Sequence, residues 1–136
     1  MDEKVLGRFA NTGFSMYRNE ETNVVSFLES FRPNQINCKS WLVNEIANVN
    51  MNWDKVLVLG SWNGILLYEL LKDYCNVGWI DFLDSDPDCH RHRNIYFEVN
   101  NMDKDYGSIT MDATEFSDHE SYDLIINCSC EHMKDI

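Results

Sequence analysis

The stretch Lys55-Val56-Leu57-Val58-Leu59-Gly60-Ser61-Trp62-Asn63-Gly64 decides the fold of this chain. A short apolar run ends at a glycine, turns, and leads into a helical pattern, which is how a buried parallel strand enters a ligand-binding loop. Glycine matters there because it accepts a positive φ without strain and lets the backbone approach a ligand closely. The loop has two glycines where a full dinucleotide fingerprint has three, so the rest of the chain must indicate the ligand.

Bulk composition favours one globular domain and excludes several functions. The chain has 136 residues, of which 44% are hydrophobic, enough for a buried core. Its formal net charge of -12 argues against general nucleic-acid or anionic-membrane binding, but is compatible with a small-molecule ligand. The five cysteines lack the spacing of a secreted disulfide scaffold, and the sequence shows neither a bilayer-spanning apolar run nor a signal peptide. We therefore expect a cytoplasmic protein, in the host cytoplasm if the chain is viral.

Helical and strand patterns alternate along the chain, which predicts an α/β fold with right-handed crossovers. Strands are predicted at residues 55–59, 77–83, 107–111 and 122–127. Helices are predicted over residues 64–74 and about 88–102, the second capped by Asp86 with Pro87 in its first turn. The expected architecture is a Rossmann-like three-layer sandwich, whose mostly parallel sheet has about four strands in the order 3-2-1-4.

The N-terminal part is expected to differ from the rest of the chain. Residues 1–53 are predicted to form a helical arm or lid, and residues 54–136 a Rossmann-like half-domain that binds the ligand. Within the arm, residues 1 to about 18 are expected to be loosely structured. The helical segments predicted after them are 20–30, closed by Pro33, and about 39–49. The aromatic residues expected in the core are Phe27, Phe31, Trp41 and Trp53.

Polar residues follow each predicted strand, at the edge where doubly wound sheets bind ligands. Asp84 ends the second strand, 24 residues after Gly60. That spacing is close to the interval of about 20 residues at which a carboxylate accepts hydrogen bonds from ribose hydroxyls. Asp112 ends the third strand, where a carboxylate can accept from an exocyclic adenine amine. The segment Cys128-Ser129-Cys130-Glu131-His132 follows the fourth strand and would border the reacting end of a ligand.

In order and spacing, these segments resemble the class I S-adenosylmethionine-dependent methyltransferases over about residues 39–136. The matching segments are 56–64, 83–87, 111–116 and 122–133. The resemblance implies S-adenosylmethionine as the cofactor, with Gly60 and Gly64 near its methionine portion. It also implies Asp84 on the ribose and Asp112 beside the adenine. The full set of expected cofactor-binding residues is Gly60, Ser61, Trp62, Gly64, Asp84, Ser85, Asp112, Ala113 and Asn127.

The same resemblance places Glu131 and His132 at the pocket rim, which makes His132 the candidate general base for a methyl acceptor. Small methyltransferase-like proteins of tailed phages are also similar to this chain. Two positions depart from the family pattern, because Val58 stands where an acidic residue is usual and Trp62 replaces the middle glycine. Family members usually carry three further strands, so we expect either a second copy at the open edge of the fourth strand or a longer natural domain.

Three hypotheses of function follow. The first is a methyltransferase with a small acceptor, the second a non-catalytic protein that binds an adenosyl ligand or a partner, and the third a binder of an NAD-type dinucleotide. Asp84 fits the third as well as the first. The segments 89–92 and 128–132 have residue types that bind zinc, but neither has paired Cys-x-x-Cys spacing, so no metal is expected. Cys128 or Cys130 could act as a nucleophile only beside a base and with a lowered pKa.

Overall fold

The computed structural model describes residues 2–21 and 23–128. Its helices are α1 (Glu3–Arg18), α2 (Val24–Glu29), α3 (Pro33–Asn48), α4 (Ile65–Tyr74) and α5 (Pro87–Val99). Its strands are β1 (Asn52–Leu59), β2 (Asn76–Asp84), β3 (Tyr106–Thr110) and β4 (Leu124–Asn127). Two short 3₁₀ turns, Ala113–Glu115 and His119–Ser121, lie between β3 and β4. In this part of the chain, no helix is both long and apolar enough to cross a bilayer.

The four strands form one parallel sheet in the order β3-β2-β1-β4, which confirms the predicted topology. In the sheet register, Val56 lies opposite Ile80 on one side and Leu124 on the other, and Asp84 lies opposite Thr110. All four strands therefore end at the same edge of the sheet. The strand order reverses between β1 and β4, and such a reversal opens a crevice at that edge.

One face of the sheet packs against the helices and carries most of the core. Its buried residues include Val56, Val58, Ile80, Phe82 and Ile126. The helices α4 and α5 connect β1 to β2 and β2 to β3, and right-handed crossovers place both connections on this face. The N-terminal helices pack outside them, α1 against α5 and α3 against α4.

The opposite face of the sheet has a thinner cover. The connection from β3 to β4 runs in the reverse direction, so a right-handed crossover brings it to this face. There Phe116 and Tyr122 pack on a small cluster formed by Leu57, Leu59 and Leu83. Within the described residues the third layer is thus this connection with its 3₁₀ turns, and Trp79 and Ile125 each remain 40% exposed.

Residues Glu3–Arg18 form a regular helix, so the expectation of a loosely structured arm is wrong. Asp2 caps α1 by accepting from the Lys4 amide at 2.9 Å. The ring of Phe9 stacks on Phe27 and Phe31 with centroid distances of 4.8 and 4.0 Å, so α1 joins the main core. Burial against α2 and α5 stabilises this helix more than intrinsic propensity does.

A partly buried ion pair links α1 to the helices on the sheet. Arg8 on α1 donates from Nε to Glu69 Oε2 on α4 at 2.8 Å, and Tyr96 on α5 donates its hydroxyl to the same oxygen at 2.7 Å. Asn100, which caps α5, donates to Thr12 Oγ1 at 3.1 Å. Three helices therefore share one polar network inside an apolar core.

Pro33 begins a helix rather than closing one. It occupies the first turn of α3, where a missing N–H costs no hydrogen bond, and α3 therefore starts six residues earlier than the predicted Lys39. Phe27 and Phe31 are buried as expected, but Trp41 lies on the outer face of α3 with 64% of its surface exposed. The prediction of Trp41 as a core residue is wrong.

Candidate functional site

A cavity of about 1020 Å³ opens at the carboxyl ends of the strands, between the strand-end loops and helices α2 and α3. Its lining contains these residues expected from the sequence: Gly60, Ser61, Trp62, Gly64, Asp84, Ser85, Asp112 and Ala113. The lining reaches β4 through Cys128, whereas the neighbouring Asn127 is exposed and lies outside it. The sheet therefore brings together the ends of all four strands around one space.

The loop after β1 has an unusual backbone. Gly60, Trp62 and Gly64 all have positive φ, at 60°, 57° and 69°. Glycine adopts this conformation freely, but at Trp62 it costs about 1–2 kcal/mol. The surrounding contacts must hold Trp62 in place, and its amide does donate to Asp84 Oδ2 at 2.9 Å.

Asp84 organises the ends of two adjacent strands. Its Oδ2 accepts from the Trp62 amide, and its Oδ1 accepts from the Asp86 amide at 3.0 Å. A carboxylate has about four acceptor sites, so both oxygens retain capacity for one more hydrogen bond. Asp84 can therefore hold the loop and accept from a pair of neighbouring hydroxyl groups at the same time.

The indole of Trp62 turns towards the N-terminal helices. Its Nε1 donates to Ser26 Oγ on α2 at 3.1 Å, and the side chain is partly buried along the cavity wall. The indole thus links the loop to α2.

Asn63 belongs to the cavity lining, although the sequence did not mark it as a site residue. It is only 1% exposed, its Oδ1 accepts from the Ile65 amide at 3.0 Å, and its Nδ2 donates to Ser30 Oγ at 2.8 Å. The side chain therefore satisfies the first turn of α4 and holds α2 beside the loop. An Asn two residues before a helix is a recognisable signal for such a capping turn.

Asp112 has a local role at the third strand end. It caps the turn Ala113–Glu115, where its Oδ1 accepts from the amide and the hydroxyl of Thr114 at 2.9 and 2.7 Å. Ala113 packs beside it against the small cluster on the second face. The two residues form the rim of the cavity on the β3 side.

The segment Cys89–His92 supports the structure rather than reactive chemistry. Burial raises the pKa of the Cys89 thiol to about 12, so this thiol is protonated at neutral pH and is a poor nucleophile. His90 donates from Nε2 to the main-chain oxygens of Ile109 and Asp84, at 3.0 and 3.3 Å. Across residues 2–21 and 23–128, no three His, Cys, Asp or Glu side chains converge as a metal site requires.

Helices α2 and α3 form the other wall of the cavity. Their lining residues are mostly polar: Ser26, Ser30, Asn34, Gln35, Cys38 and Lys39. The described lining contains one basic side chain, Lys39, and three acidic ones, Asp84, Asp86 and Asp112. The negative excess suits a ligand that carries hydroxyl groups and a positive charge.

The predicted base His132 lies outside the described residues, together with Ser129, Cys130 and Glu131. The described part of the cavity therefore ends at Cys128 on the β4 side.

Comparison with known proteins gives a result for structure but not for sequence. No protein-family model matches the sequence, and no curated protein matches it significantly. A protein from Galdieria sulphuraria assigned as a sarcosine dimethylglycine methyltransferase matches with a TM-score of 0.56 and 22% identity, over 68% of this chain and 36% of that one. The N-methyltransferase NodS from Bradyrhizobium japonicum WM9, in complex with S-adenosyl-L-homocysteine, matches with a TM-score of 0.55 and 16% identity, over 85% and 55%.

The plantazolicin methyltransferase BpumL, also in complex with S-adenosyl-L-homocysteine, matches with a TM-score of 0.52 and 15% identity, over 92% of this chain and 49% of that one. In these three comparisons the chain spans about one third to just over one half of the other protein. The fold of the chain is thus the Rossmann-like fold of S-adenosylmethionine-dependent methyltransferases.

Proposed function

We propose that the cavity binds S-adenosylmethionine and that the protein transfers its methyl group to a small acceptor. The observation that carries this proposal is the hydrogen bond from the Trp62 amide to Asp84 Oδ2, between two residues of the cavity lining. It holds a glycine-bounded loop and a carboxylate side by side at the switch point of a parallel sheet, the arrangement that binds a nucleoside-containing ligand.

The ligand would extend along the strand ends. Asp84 accepts from the ribose hydroxyls, Asp112 and Ala113 border the adenine, and Gly60 and Gly64 lie near the methionine portion. Ser61, Trp62 and Ser85 complete the lining of that path, and Asn127 is proposed as a further contact beside Cys128. The solved complexes of NodS and BpumL with S-adenosyl-L-homocysteine support a ligand of this class. The acidic lining also favours a cationic sulfonium over a polyanion.

Catalysis in such a site depends mainly on alignment. S-adenosylmethionine, when bound, supplies an electrophilic methyl group on its sulfonium. The protein must hold an acceptor nucleophile in line with that carbon and keep water out, and α2 and α3 serve as the cover within the proposed lid of residues 1–53. His132 is proposed to receive the proton that the acceptor loses.

Calorimetric titration with S-adenosylmethionine, S-adenosyl-L-homocysteine and NAD tests the proposal. We expect the first two to bind and NAD not to bind, because Trp62 stands where a dinucleotide site needs a glycine close to the pyrophosphate. If neither adenosyl ligand binds, the proposal fails, and binding of NAD alone would establish the dinucleotide alternative. Binding without methyl transfer to any tested acceptor would favour the non-catalytic alternative.

The partner surface proposed for a second copy is the outer edge of β4. Among the described residues no strand pairs with β4 on the side away from β1, and Ile125 on this strand is 40% exposed. A strand edge with exposed apolar residues favours pairing with another chain. Sedimentation equilibrium tests this proposal, because a clean monomer at micromolar concentration would exclude it. The cytoplasmic location stays a prediction from the sequence.

A further inference from the structure

We propose that Arg93 is a positioning residue, whose buried guanidinium sets the place of the loop 60–64 relative to the strand end at Asp84. Its effect on ligand affinity rests on the proposed function, whereas its effect on the loop can be measured without any ligand.

The contacts of Arg93 reach three separate parts of the site. The side chain is 0% exposed on α5, and its Nη1 donates to the main-chain oxygen of Asn63 at 2.9 Å. Its Nη2 donates to Ser108 Oγ on β3 at 2.7 Å and to His90 Nδ1 at 2.6 Å. A single planar group thus joins the loop after β1, the third strand and the helix between them.

His90 extends this network to the strand ends. Because its Nδ1 accepts from Arg93, the proton of the neutral ring lies on Nε2, which donates to the main-chain oxygens of Ile109 and Asp84. Burial, followed by the positive charge of Arg93, lowers the pKa of His90. The other charged group that acts on the ring is the Asp84 carboxylate, which works in the opposite direction.

Asn63 is the residue through which Arg93 contacts the loop 60–64. Its carbonyl accepts from Arg93, while its side chain holds the first turn of α4 and Ser30. The preceding residue, Trp62, makes the hydrogen bond to Asp84. A shift of the Asn63 carbonyl would therefore displace the amide on which the geometry of the site depends.

The buried guanidinium of Arg93 carries a desolvation cost that a residue with a purely packing role would not need. Among the described residues no carboxylate lies within ion-pair distance of its guanidinium, and its Nε has no hydrogen-bond partner. The ring centroids of Phe82 and Tyr106 lie 4.2 and 5.0 Å from the guanidinium carbon. Burial lowers the pKa of Arg93 to about 10, which leaves it charged at neutral pH. An apolar side chain at this position would avoid the desolvation cost. The presence of a guanidinium is therefore explained by the hydrogen bonds that it donates to Asn63, Ser108 and His90.

The test compares Arg93→Met and Arg93→Lys with Arg18→Met, an exposed arginine in the last turn of α1 that serves as the control. Methionine keeps the stem without donors, and lysine keeps the charge but cannot contact Asn63, Ser108 and His90 in one plane. The protonation state and tautomer of His90 are followed by nitrogen NMR on ligand-free protein, and the Trp62 amide by hydrogen exchange. The dissociation constant of S-adenosyl-L-homocysteine is measured by calorimetry.

We expect the Trp62 amide to exchange faster in both Arg93 variants, and His90 to titrate at higher pH in Arg93→Met. The dissociation constant should rise about tenfold or more, as loss of a charged hydrogen bond implies, and Arg18→Met should match the wild type. If Arg93→Met does not fold, Arg93→Lys decides. Unchanged His90 and Trp62 signals in a folded variant would overturn the inference. If the wild type binds no adenosyl ligand, the proposed function fails, and the ligand-free measurements still decide the role of Arg93.

Discussion

The backbone of Gly64 lies directly against the ring of Phe82. A Cβ built at Gly64 would come within 2.5 Å of the Phe82 Cδ1 and Cε1 atoms, and the φ of Gly64 is +69°. Phe82 is fully buried in β2, so its ring has little freedom to retreat. This contact sets how closely the start of α4 approaches the sheet, and it requires the absence of a side chain at position 64.

The first prediction concerns this contact. Gly64→Ala should lower the free energy of unfolding by about 2–4 kcal/mol, because it combines overpacking with a strained φ. Gly7→Ala is the matched control, since Gly7 lies inside α1 and a methyl group added there would meet no atom within 4 Å apart from its chain neighbours and the nearby backbone of its own helix. That change should stabilise the protein by about 0.5–1 kcal/mol through helix propensity. Urea denaturation measures both, and equal effects in the two variants would contradict the packing argument.

The second prediction concerns Asp84. Asp84→Asn keeps one acceptor oxygen, so it should preserve the fold while weakening S-adenosyl-L-homocysteine binding by about 1–3 kcal/mol. Asp73→Asn removes the same charge at an exposed position near the end of α4 and should leave the affinity unchanged. Calorimetry compares the two variants, and an unchanged affinity in Asp84→Asn would mean that the ribose lies elsewhere.

The third prediction concerns the ion pair between α1 and α4. Arg8→Met leaves the Glu69 carboxylate, whose side chain is 7% exposed, without a cation, and should destabilise the protein by about 3 kcal/mol. The double change Arg8→Met with Glu69→Leu removes both charges and should recover much of that loss. Arg32→Met breaks an exposed pair with Glu29 and should cost under about 1 kcal/mol. If the denaturation midpoint falls equally for Arg8→Met and Arg32→Met, the Arg8–Glu69 pair contributes no more to stability than the exposed Arg32–Glu29 pair, and the prediction is wrong.

The fourth prediction is a pH dependence of stability. Because the folded state lowers the pKa of His90 below its usual value of 6.5, the unfolded chain binds a proton more readily in the range below that value. The His90 contribution should therefore lower the free energy of unfolding as the pH drops from about 7 towards 5, and it should add no slope above about 7. His90→Gln should flatten this slope, and His119→Gln, an exposed histidine, should not. Stability curves at several pH values provide the measurement, and identical slopes in all three proteins would count against a desolvated imidazole.

Local signals in the sequence were sufficient for the sheet and its edge. The apolar run before Gly60 marks β1, and the pair Asp86 and Pro87 marks the start of α5, where Asp86 accepts from the Asp88 amide as its cap. These signals act between near neighbours, so they can be read without knowledge of the fold. The order of the strands followed from the alternation of elements and the handedness of their connections.

Features that depend on distant partners were not predicted. Gly7 and Gly13 lower the helix propensity of α1 and concealed a helix whose core-facing residues, the buried Val5 and Met16 and the half-buried Phe9, do have helical spacing. Arg93 reads as a surface residue of α5, because nothing near it in sequence reveals that Asn63 and Ser108 receive its hydrogen bonds. Both the helix α1 and the burial of Arg93 depend on contacts between residues that are distant in sequence.

Trp62, whose indole donates a hydrogen bond to Ser26, also gives the site an intrinsic fluorescence signal. Indole emission responds to solvent exposure and to the loss of a hydrogen bond, and Trp62 lies in the cavity wall where a bound ligand would exclude water. The remaining tryptophans, Trp41, Trp53 and Trp79, lie outside the described cavity lining. Fluorescence of the native protein can therefore report occupancy in real time, with no label attached.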